Sequence, residues 1–170
     1  MKTKLLLIIF LLIVAINISG CNLVLASSTT TSTVNKAATV KASVSQTWYE
    51  GGEGYNQAYS EFRATKAPAV VYFYTDWWGY CKEFECELLD SDEVRAYFKN
   101  VIKIKVNPET SDASEKLSRG WNINGYPSFY VYPQNGPPVS VNRRKQVDGG
   151  SELMSPSEFV QACKKAAAGQ

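Results

Sequence analysis

The chain has 170 residues, with 18 basic side chains, 16 acidic ones and no histidine. This length allows one domain with a hydrophobic core, and the near balance of charge excludes a strongly basic surface for nucleic acid. The lack of histidine excludes histidine-based acid–base catalysis and histidine metal ligands, and the few scattered cysteines form a poor zinc site. Because a glycine-rich phosphate loop is also missing, we expect neither a metal nor another cofactor.

The N-terminal segment has the features of a secretory signal peptide. Two lysines precede residues 5–16, an apolar stretch that is too short to span a bilayer comfortably. Residues 18–21 (Ile-Ser-Gly-Cys) then resemble a bacterial lipobox, in which cleavage before the cysteine leaves its thiol to carry diacylglycerol. We therefore predict a signal peptide over residues 1–20 and lipidation of Cys21.

This leader indicates a location in the bacterial cell envelope. A lipid on Cys21 would hold the protein on the periplasmic side without a spanning helix, and Asn22 weakly favours the outer membrane. Cleavage after Ala26, an ordinary small-residue site, is the alternative and would give a soluble secreted protein. Either cleavage places the mature chain where disulfides persist. Residues 21–47, rich in serine and threonine, are predicted to be a flexible tether to a domain over 48–170.

Apolar spacing and capping residues predict the elements of this domain. Ser155 and Glu158 form a capping box at the start of the last helix, and the glycine pairs at 51–52 and 149–150 are interpreted as turns. In chain order the patterns predict a helix over 55–66, a strand over 69–74, helices over 81–89 and after Ser91, a strand over 101–106, a helix over 111–119 that stops at Gly120, strands over 128–132 and (more weakly) 139–147, and a helix over 156–168. A βαβ half followed by a ββα half gives an α/β domain with a mixed central sheet and helices on both faces.

Three segments carry a resemblance to a known family. They are residues 75–85 (Thr-Asp-Trp-Trp-Gly-Tyr-Cys-Lys-Glu-Phe-Glu), residues 91–94 (Ser-Asp-Glu-Val) and residues 125–129 (Gly-Tyr-Pro-Ser-Phe). In this order, and over residues 48–167, the chain resembles the thioredoxin-like family, in particular the periplasmic thioredoxin-like domains of membrane-bound disulfide reductases. The resemblance implies a thioredoxin fold and places Pro127 in the family's cis-proline loop.

The resemblance also implies a redox site, from which this sequence departs. In the family, the first cysteine of a Cys-x-x-Cys turn attacks a substrate disulfide and the second resolves the mixed disulfide. Trp78 stands at the first position and Cys81 at the second, while Tyr72 stands where many members have a buried carboxylate that handles the proton of the resolving thiol. We therefore do not expect the ordinary dithiol–disulfide cycle in this chain.

The pairing of the cysteines has three alternatives. The family places the active-site helix and the last helix on one face of the sheet, which would allow a structural Cys86–Cys163 disulfide with Cys81 free. The second alternative is three free thiols. The third is a redox pair of Cys81 and Cys86, although side chains five residues apart point about 140° apart on an ideal helix.

Aromatic residues near the turn indicate a surface for peptides. Trp78, Tyr80, Tyr126 and Pro127 are expected to contact a polypeptide that pairs with the backbone edge before Pro127, with Trp78 exposed at the tip of the turn. Trp77 is expected to pack structurally.

Two functions fit these features. The first is an envelope-anchored module that binds polypeptides or a partner protein without redox turnover. The second is a non-standard thiol–disulfide oxidoreductase that uses Cys81 alone or with Cys86, which requires a low Cys81 pKa. The basic run at residues 143–145 is interpreted as a solvated face rather than as part of either site.

Overall fold

The structure is a computed structural model and describes residues 43–169. Outside these residues lie several predicted features: the signal peptide, the lipidation site Cys21, the alternative cleavage site and most of the tether. Residues 43–47, the last of the predicted tether, contact the domain: the Ser45 N–H donates to Glu61 and the Ser45 carbonyl accepts from Lys103 Nζ, both at 2.9 Å. No helix in the described part of the chain is long and apolar enough to cross a membrane.

Helices and strands alternate along the domain. In chain order they are β1 (Tyr49–Glu50), α1 (Gly51–Thr65), β2 (Ala69–Phe73), α2 (Gly79–Phe84) with a π-helical continuation (Glu85–Leu89), α3 (Asp92–Phe98), β3 (Ile102–Val106), α4 (Asp112–Gly120), β4 (Ser128–Tyr132), β5 (Val139–Ser140), β6 (Arg144–Val147), β7 (Gly150–Leu153) and α5 (Pro156–Ala167). Five strands form a mixed sheet in the order β1-β3-β2-β4-β5, in which β1 and β2 run parallel to β3. Strand β4 is antiparallel to β2 and β5, and β6 and β7 form a separate hairpin.

Two hydrophobic layers cover the sheet, which explains why every residue of β2 is buried. Successive side chains of a strand point to opposite faces. Phe73 therefore packs in the layer with α1 and α4, and Tyr72 in the layer with α2, α3 and α5. In that second layer the rings of Phe84 and Phe159 lie 5.3 Å apart, which joins α2 to α5. The predicted fold class, a mixed sheet with helices on both faces, is confirmed.

The glycine pair at 51–52 is not the predicted turn but the first turn of α1, which begins four residues before the predicted start at 55. Gly51 has φ of 69°, in the left-handed region, and a Cβ on Gly52 would lie 2.7 Å from the backbone of Ala113. The Gly52 N–H donates to Ser114 Oγ at 3.1 Å. The glycines thus allow α1 to approach α4 closely, a contact that no local pattern predicts.

Between Gly120 and the C-terminus, one predicted element is confirmed and two differ from the structure. Ser155 and Glu158 form the predicted capping box of α5. The weak strand predicted over 139–147 is two strands, β5 and β6, and β6 pairs with β7 through a turn at Gly149 (φ 89°). Gly120 is the last residue of α4 rather than a stop after it.

Candidate functional site

The site lies where β2 ends and α2 begins. Trp78 is the N-cap residue of α2, with extended φ and ψ of −84° and 118°, and its side chain makes no capping hydrogen bond. The Cys81 N–H donates to the Trp78 carbonyl at 2.9 Å, so Cys81 belongs to the first turn of the helix. The first turn also contains no acidic residue. The positive end of the helix dipole is therefore not balanced by a side chain here.

The Cys81 thiol is buried, with 1% of the residue exposed. Burial raises the pKa of Cys81, because a thiolate loses its hydration in an apolar environment. The nearby Glu85 carboxylate raises this pKa further, whereas the Thr75 backbone, the Tyr72 hydroxyl and the charge of Arg143 lower it in part. The net direction is upward, which is the opposite of what a single-thiol oxidoreductase requires.

The Tyr72 side chain lies beside this thiol and is 1% exposed. Its ring stacks on Tyr74 at 5.2 Å and packs edge-on against Phe84 at 5.3 Å, and its hydroxyl has no hydrogen-bond partner among the described residues. Burial raises the Tyr72 pKa, and the neighbouring Cys81 and Glu85 raise it further. The phenol therefore stays protonated at neutral pH and is not a base for the Cys81 thiol.

Three aromatic side chains form a continuous exposed patch at the turn, named here the aromatic surface: Trp77, Trp78 and Tyr80. They are 65%, 38% and 51% exposed. The ring of Trp78 lies 5.5 Å from the rings of both Trp77 and Tyr80, in edge-to-face geometry. The expected exposure of Trp78 is confirmed. The structural packing expected for Trp77 is wrong, because its indole N–H donates to the Glu109 carboxylate (2.9 Å) on the surface instead of entering the core.

The Tyr126 ring, expected to contact a polypeptide together with Pro127, is not part of the aromatic surface. The peptide bond between them is cis. The Tyr126 ring packs with the layer of α1 and α4, where its hydroxyl lies 3.4 Å from Ser118 Oγ, and it makes no ring contact with the aromatic surface within residues 43–169. Its backbone N–H and C=O have no hydrogen-bond partner in the described chain. The backbone of Tyr126, rather than its ring, is therefore available to a ligand.

A small cavity adjoins Pro127, on a part of the chain that the sequence analysis left out of the site. Its volume is about 80 Å³. The lining residues are Phe84, Pro127, Ser128, Phe129, Ser140, Val141, Asn142 and Arg143. The Arg143 guanidinium lies 5.8 Å from the centroid of the Tyr80 ring, in reach of a cation–π contact. Arg143 is thus half-buried beside the aromatic surface, which corrects its interpretation as part of a solvated face.

All three described cysteines are free thiols. Cys86 is exposed on the π-helical segment, whereas Cys163 is fully buried on α5, where burial raises its pKa to about 12. The Cys86–Cys163 disulfide expected from the helix arrangement is therefore absent from the described residues, although α2 and α5 do share a face. Cys81 and Cys86 are not bonded to each other either. Within residues 43–169 no group of three or more His, Cys, Asp or Glu side chains is arranged to hold a metal.

Comparisons with known proteins agree with this architecture. The chain is 24% identical over 104 residues to a protein disulfide-isomerase of Schizosaccharomyces pombe, which covers 61% of this chain and 28% of that protein. It is 28% identical over 76 residues to the thiol:disulfide interchange protein DsbD of Haemophilus influenzae, which covers 44% of this chain and 13% of that protein. The chain thus matches less than a third of the length of either relative.

Solved structures show the same fold at low sequence identity. A DsbH oxidoreductase aligns with a TM-score of 0.57 at 15% identity, over 81% of this chain and 94% of that one. A thioredoxin from Thermus thermophilus aligns with a TM-score of 0.53 at 20% identity, over 71% and 86%. The oxidised C-terminal domain of DsbD from Neisseria meningitidis aligns with a TM-score of 0.52 at 17% identity, over 71% and 99%.

A family profile decides the assignment. Residues 55–166, which include every helix and strand from β2 to β7, match the profile described as a thioredoxin-like domain. The mixed sheet and the helix that begins at Trp78 are consistent with that match. The chain belongs to the thioredoxin-like domain family.

Proposed function

We propose that this protein binds extended polypeptides at the aromatic surface and the Tyr126–Pro127 backbone, without the dithiol–disulfide cycle. One observation carries this proposal: the thiol in the first turn of α2, Cys81, is buried with a raised pKa, and the residue at the exposed start of that helix is Trp78. A nucleophile in a disulfide exchange must be both accessible and ionised. Neither condition holds for Cys81.

The geometry of the surface supports peptide binding. Large aromatic side chains that are exposed together are typical of binding sites, because they bury much area at a low cost in conformational entropy. The unpartnered N–H and C=O of Tyr126 provide a place for an extended chain to add main-chain hydrogen bonds. A polypeptide held there would lie next to Trp78 and Tyr80.

The test combines a binding assay with a redox assay. Binding of a reduced and carboxymethylated, unfolded protein is followed by anisotropy; Trp78→Ala should weaken it by about 30-fold, the effect of losing a hot-spot aromatic worth about 2 kcal/mol. Tyr59→Ala is the matched control, because Tyr59 is 47% exposed on α1, on the other face of the sheet. An equal effect of both variants would contradict the proposed surface.

The redox assay measures reduction of insulin by dithiothreitol in the presence of the protein. Wild type should not accelerate the reaction, whereas Trp78→Cys should, because it places a thiol at the N-terminus of α2 next to Cys81. Trp78→Ser introduces a hydroxyl of similar size in place of that thiol and should stay inactive. Acceleration by wild type would overturn the proposal.

The alternative function is a non-standard thiol–disulfide oxidoreductase that uses Cys81 alone or with Cys86. The names of the relatives, a protein disulfide-isomerase and a thiol:disulfide interchange protein, favour it, although the chain covers only 28% and 13% of them. It requires Cys81 to become accessible in a complex or by local opening. Rapid alkylation of Cys81 in the folded protein would support this alternative.

The proposed location is the periplasmic side of the bacterial cell envelope, with a lipid anchor at Cys21. Cys21→Ser should move the protein from the membrane fraction to the soluble fraction, and cleavage after Ala26 would then supply the N-terminus. Recovery of wild type in the soluble fraction, with Ser27 as its first residue, would instead establish the secreted form.

A further inference from the structure

We propose that Arg143 and the cavity beside Pro127 form a subsite for a carboxylate side chain of the bound polypeptide. The protein would then prefer extended segments in which an aspartate or glutamate lies next to the residue that pairs with the Tyr126 backbone. This inference rests on the proposed function, since it names the chemistry that the same surface selects.

The Arg143 guanidinium lacks a counter-ion in the described structure. The adjacent Arg144 pairs with Glu83 at 3.4 Å, so this carboxylate is already engaged, while Arg143 makes no ion pair within residues 43–169. Arg143 Nε is buried without a hydrogen-bond partner. A partly desolvated cation with a buried, unsatisfied Nε–H is unfavourable, so a carboxylate that approaches the guanidinium gains charge neutralisation and hydrogen bonds.

The charged groups around Arg143 favour an anionic ligand. Arg144 and Glu83 form an ion pair whose charges largely cancel, and the thiol of Cys81 and the phenol of Tyr72 are neutral at pH 7 because burial raises both pKa values. Among the described residues, Arg143 is therefore left as the uncompensated charge at this site. Burial itself lowers the pKa of Arg143, which nevertheless stays charged at neutral pH. No acidic side chain lines the cavity in the described part of the chain.

The cavity has a suitable size and lining for a carboxylate. Its volume is about 80 Å³, and about 10–15 Å³ on this kind of measure holds one water molecule. The cavity therefore has room for the few atoms of a carboxyl group. Ser140, Asn142 and Arg143 contribute polar groups to the lining, and Phe84 and Phe129 contribute apolar ones. A carboxylate side chain matches the charge of Arg143 and the polar part of this lining.

The subsite lies next to the place where the backbone of a bound polypeptide is proposed to pair. Pro127 and Ser128 line the cavity, and Tyr126, which offers the unpartnered N–H and C=O, directly precedes them. The Arg143 guanidinium lies over Tyr80, 5.8 Å from the ring centroid, so its planar fork of donors is adjacent to the aromatic surface. One ligand residue can therefore meet the aromatic surface while its neighbour reaches Arg143.

The experiment compares two labelled peptides that differ at one position, glutamate or glutamine, in an otherwise uncharged extended sequence of threonine, serine and tyrosine. Anisotropy titrations with the full mature chain should give about tenfold tighter binding of the glutamate peptide to wild type, the effect of one charge-assisted bidentate contact. Arg143→Gln should bring this ratio close to one, mainly by weakening binding of the glutamate peptide, with a much smaller change for the glutamine peptide. Arg143→Lys, which keeps the charge without the fork, should retain a smaller ratio.

Arg63→Gln is the matched control, because it removes the same charge from α1 on the other face of the sheet and should keep the full preference. Wild type that binds both peptides equally would overturn the subsite and leave the proposed function in place. An equal loss of affinity for both peptides in Arg143→Gln would also overturn it, since that pattern indicates a structural role. Failure of both peptides and of the unfolded protein to bind would instead reject the proposed function itself.

Discussion

Alkylation of the folded, reduced protein should follow a strict order, with Cys86 first and Cys81 and Cys163 protected. Cys86 is exposed, whereas the other two residues are 1% and 0% exposed. A reagent such as iodoacetamide reaches a buried thiol only when the structure opens locally, and it reacts with the thiolate. Burial raises the pKa of both protected thiols, so access and ionisation act in the same direction.

The size of the effect follows from these two factors. A thiol with the Cys163 pKa of about 12 has about 3,000-fold less thiolate at pH 7.5 than an ordinary thiol of pKa about 8.5. A local opening that costs about 3 kcal/mol reduces access by a further factor of about 100. For Cys81 the access factor alone predicts labelling at least about 100-fold slower than that of Cys86.

Timed quenching followed by tryptic peptide mapping measures the order directly, because cleavage after Lys82 separates Cys81 from Cys86. In denaturant all three thiols should react at similar rates, and Cys86→Ser should remove only the fast phase. Labelling of Cys81 as fast as Cys86 would refute the buried, protonated thiol on which the binding proposal depends. The same map on protein alkylated before reduction would reveal a Cys86–Cys163 or Cys81–Cys86 bond, and either bond would contradict the three free thiols.

Three further predictions concern stability. Phe84→Ala should destabilise the domain by about 3–5 kcal/mol in urea unfolding, because this fully buried ring contacts three other rings at 5.3–5.7 Å. Ser155→Ala should cost about 1 kcal/mol through loss of the α5 cap, whereas Ser157→Ala, on the same exposed turn, should cost much less. Lys145 and the capping hydrogen bonds lower the pKa of Glu158 from 4.5 to about 2, so its contribution is complete above pH 4.5 and disappears as pH falls toward 2. Glu158→Gln should flatten that part of the urea-midpoint profile against pH, and an unchanged profile would contradict the assignment.

Local patterns predicted most of the fold correctly. The apolar run at β2 and the alternating run at β3 have the periods of buried strands, and the capping residues Ser91 and Ser155 mark helix starts within one residue. These signals depend on a few residues that are close in sequence, and on backbone N–H groups at helix starts that need a hydrogen-bond acceptor. For this reason they can be recognised without knowledge of the tertiary structure.

The missed features all depend on contacts between distant segments. The helical start at Gly51 requires the close approach of α4, and the β6–β7 hairpin contains no alternation of large apolar residues in Gly150–Leu153 that would reveal a strand. The exposure of Trp77 depends on the direction in which the turn leaves β2 and on Glu109 from the loop after β3. Arg143 lies beside Tyr80 only because the chain after β5 carries it there. In the sequence, Arg143 is part of a run of three basic residues, and nothing in that run distinguishes it from a solvated face.

The arrangement around Trp78 explains how the start of α2 can be kept in place with only one cysteine at the turn. Cys81 is buried as a free thiol beside Tyr72, whose ring packs on Phe84, so the start of α2 does not depend on a disulfide. A thiol introduced by Trp78→Cys would meet an unbalanced helix N-terminus, which favours its ionisation. The neighbouring Tyr72 phenol would not remove the proton of the buried Cys81, because the pKa of this phenol is raised. In that variant mixed disulfides should therefore form readily and resolve slowly, so insulin reduction should be faster than with wild type but only slightly, and the covalent intermediate should accumulate. Strong acceleration without an accumulated intermediate would show that Tyr72 does not limit the resolving step.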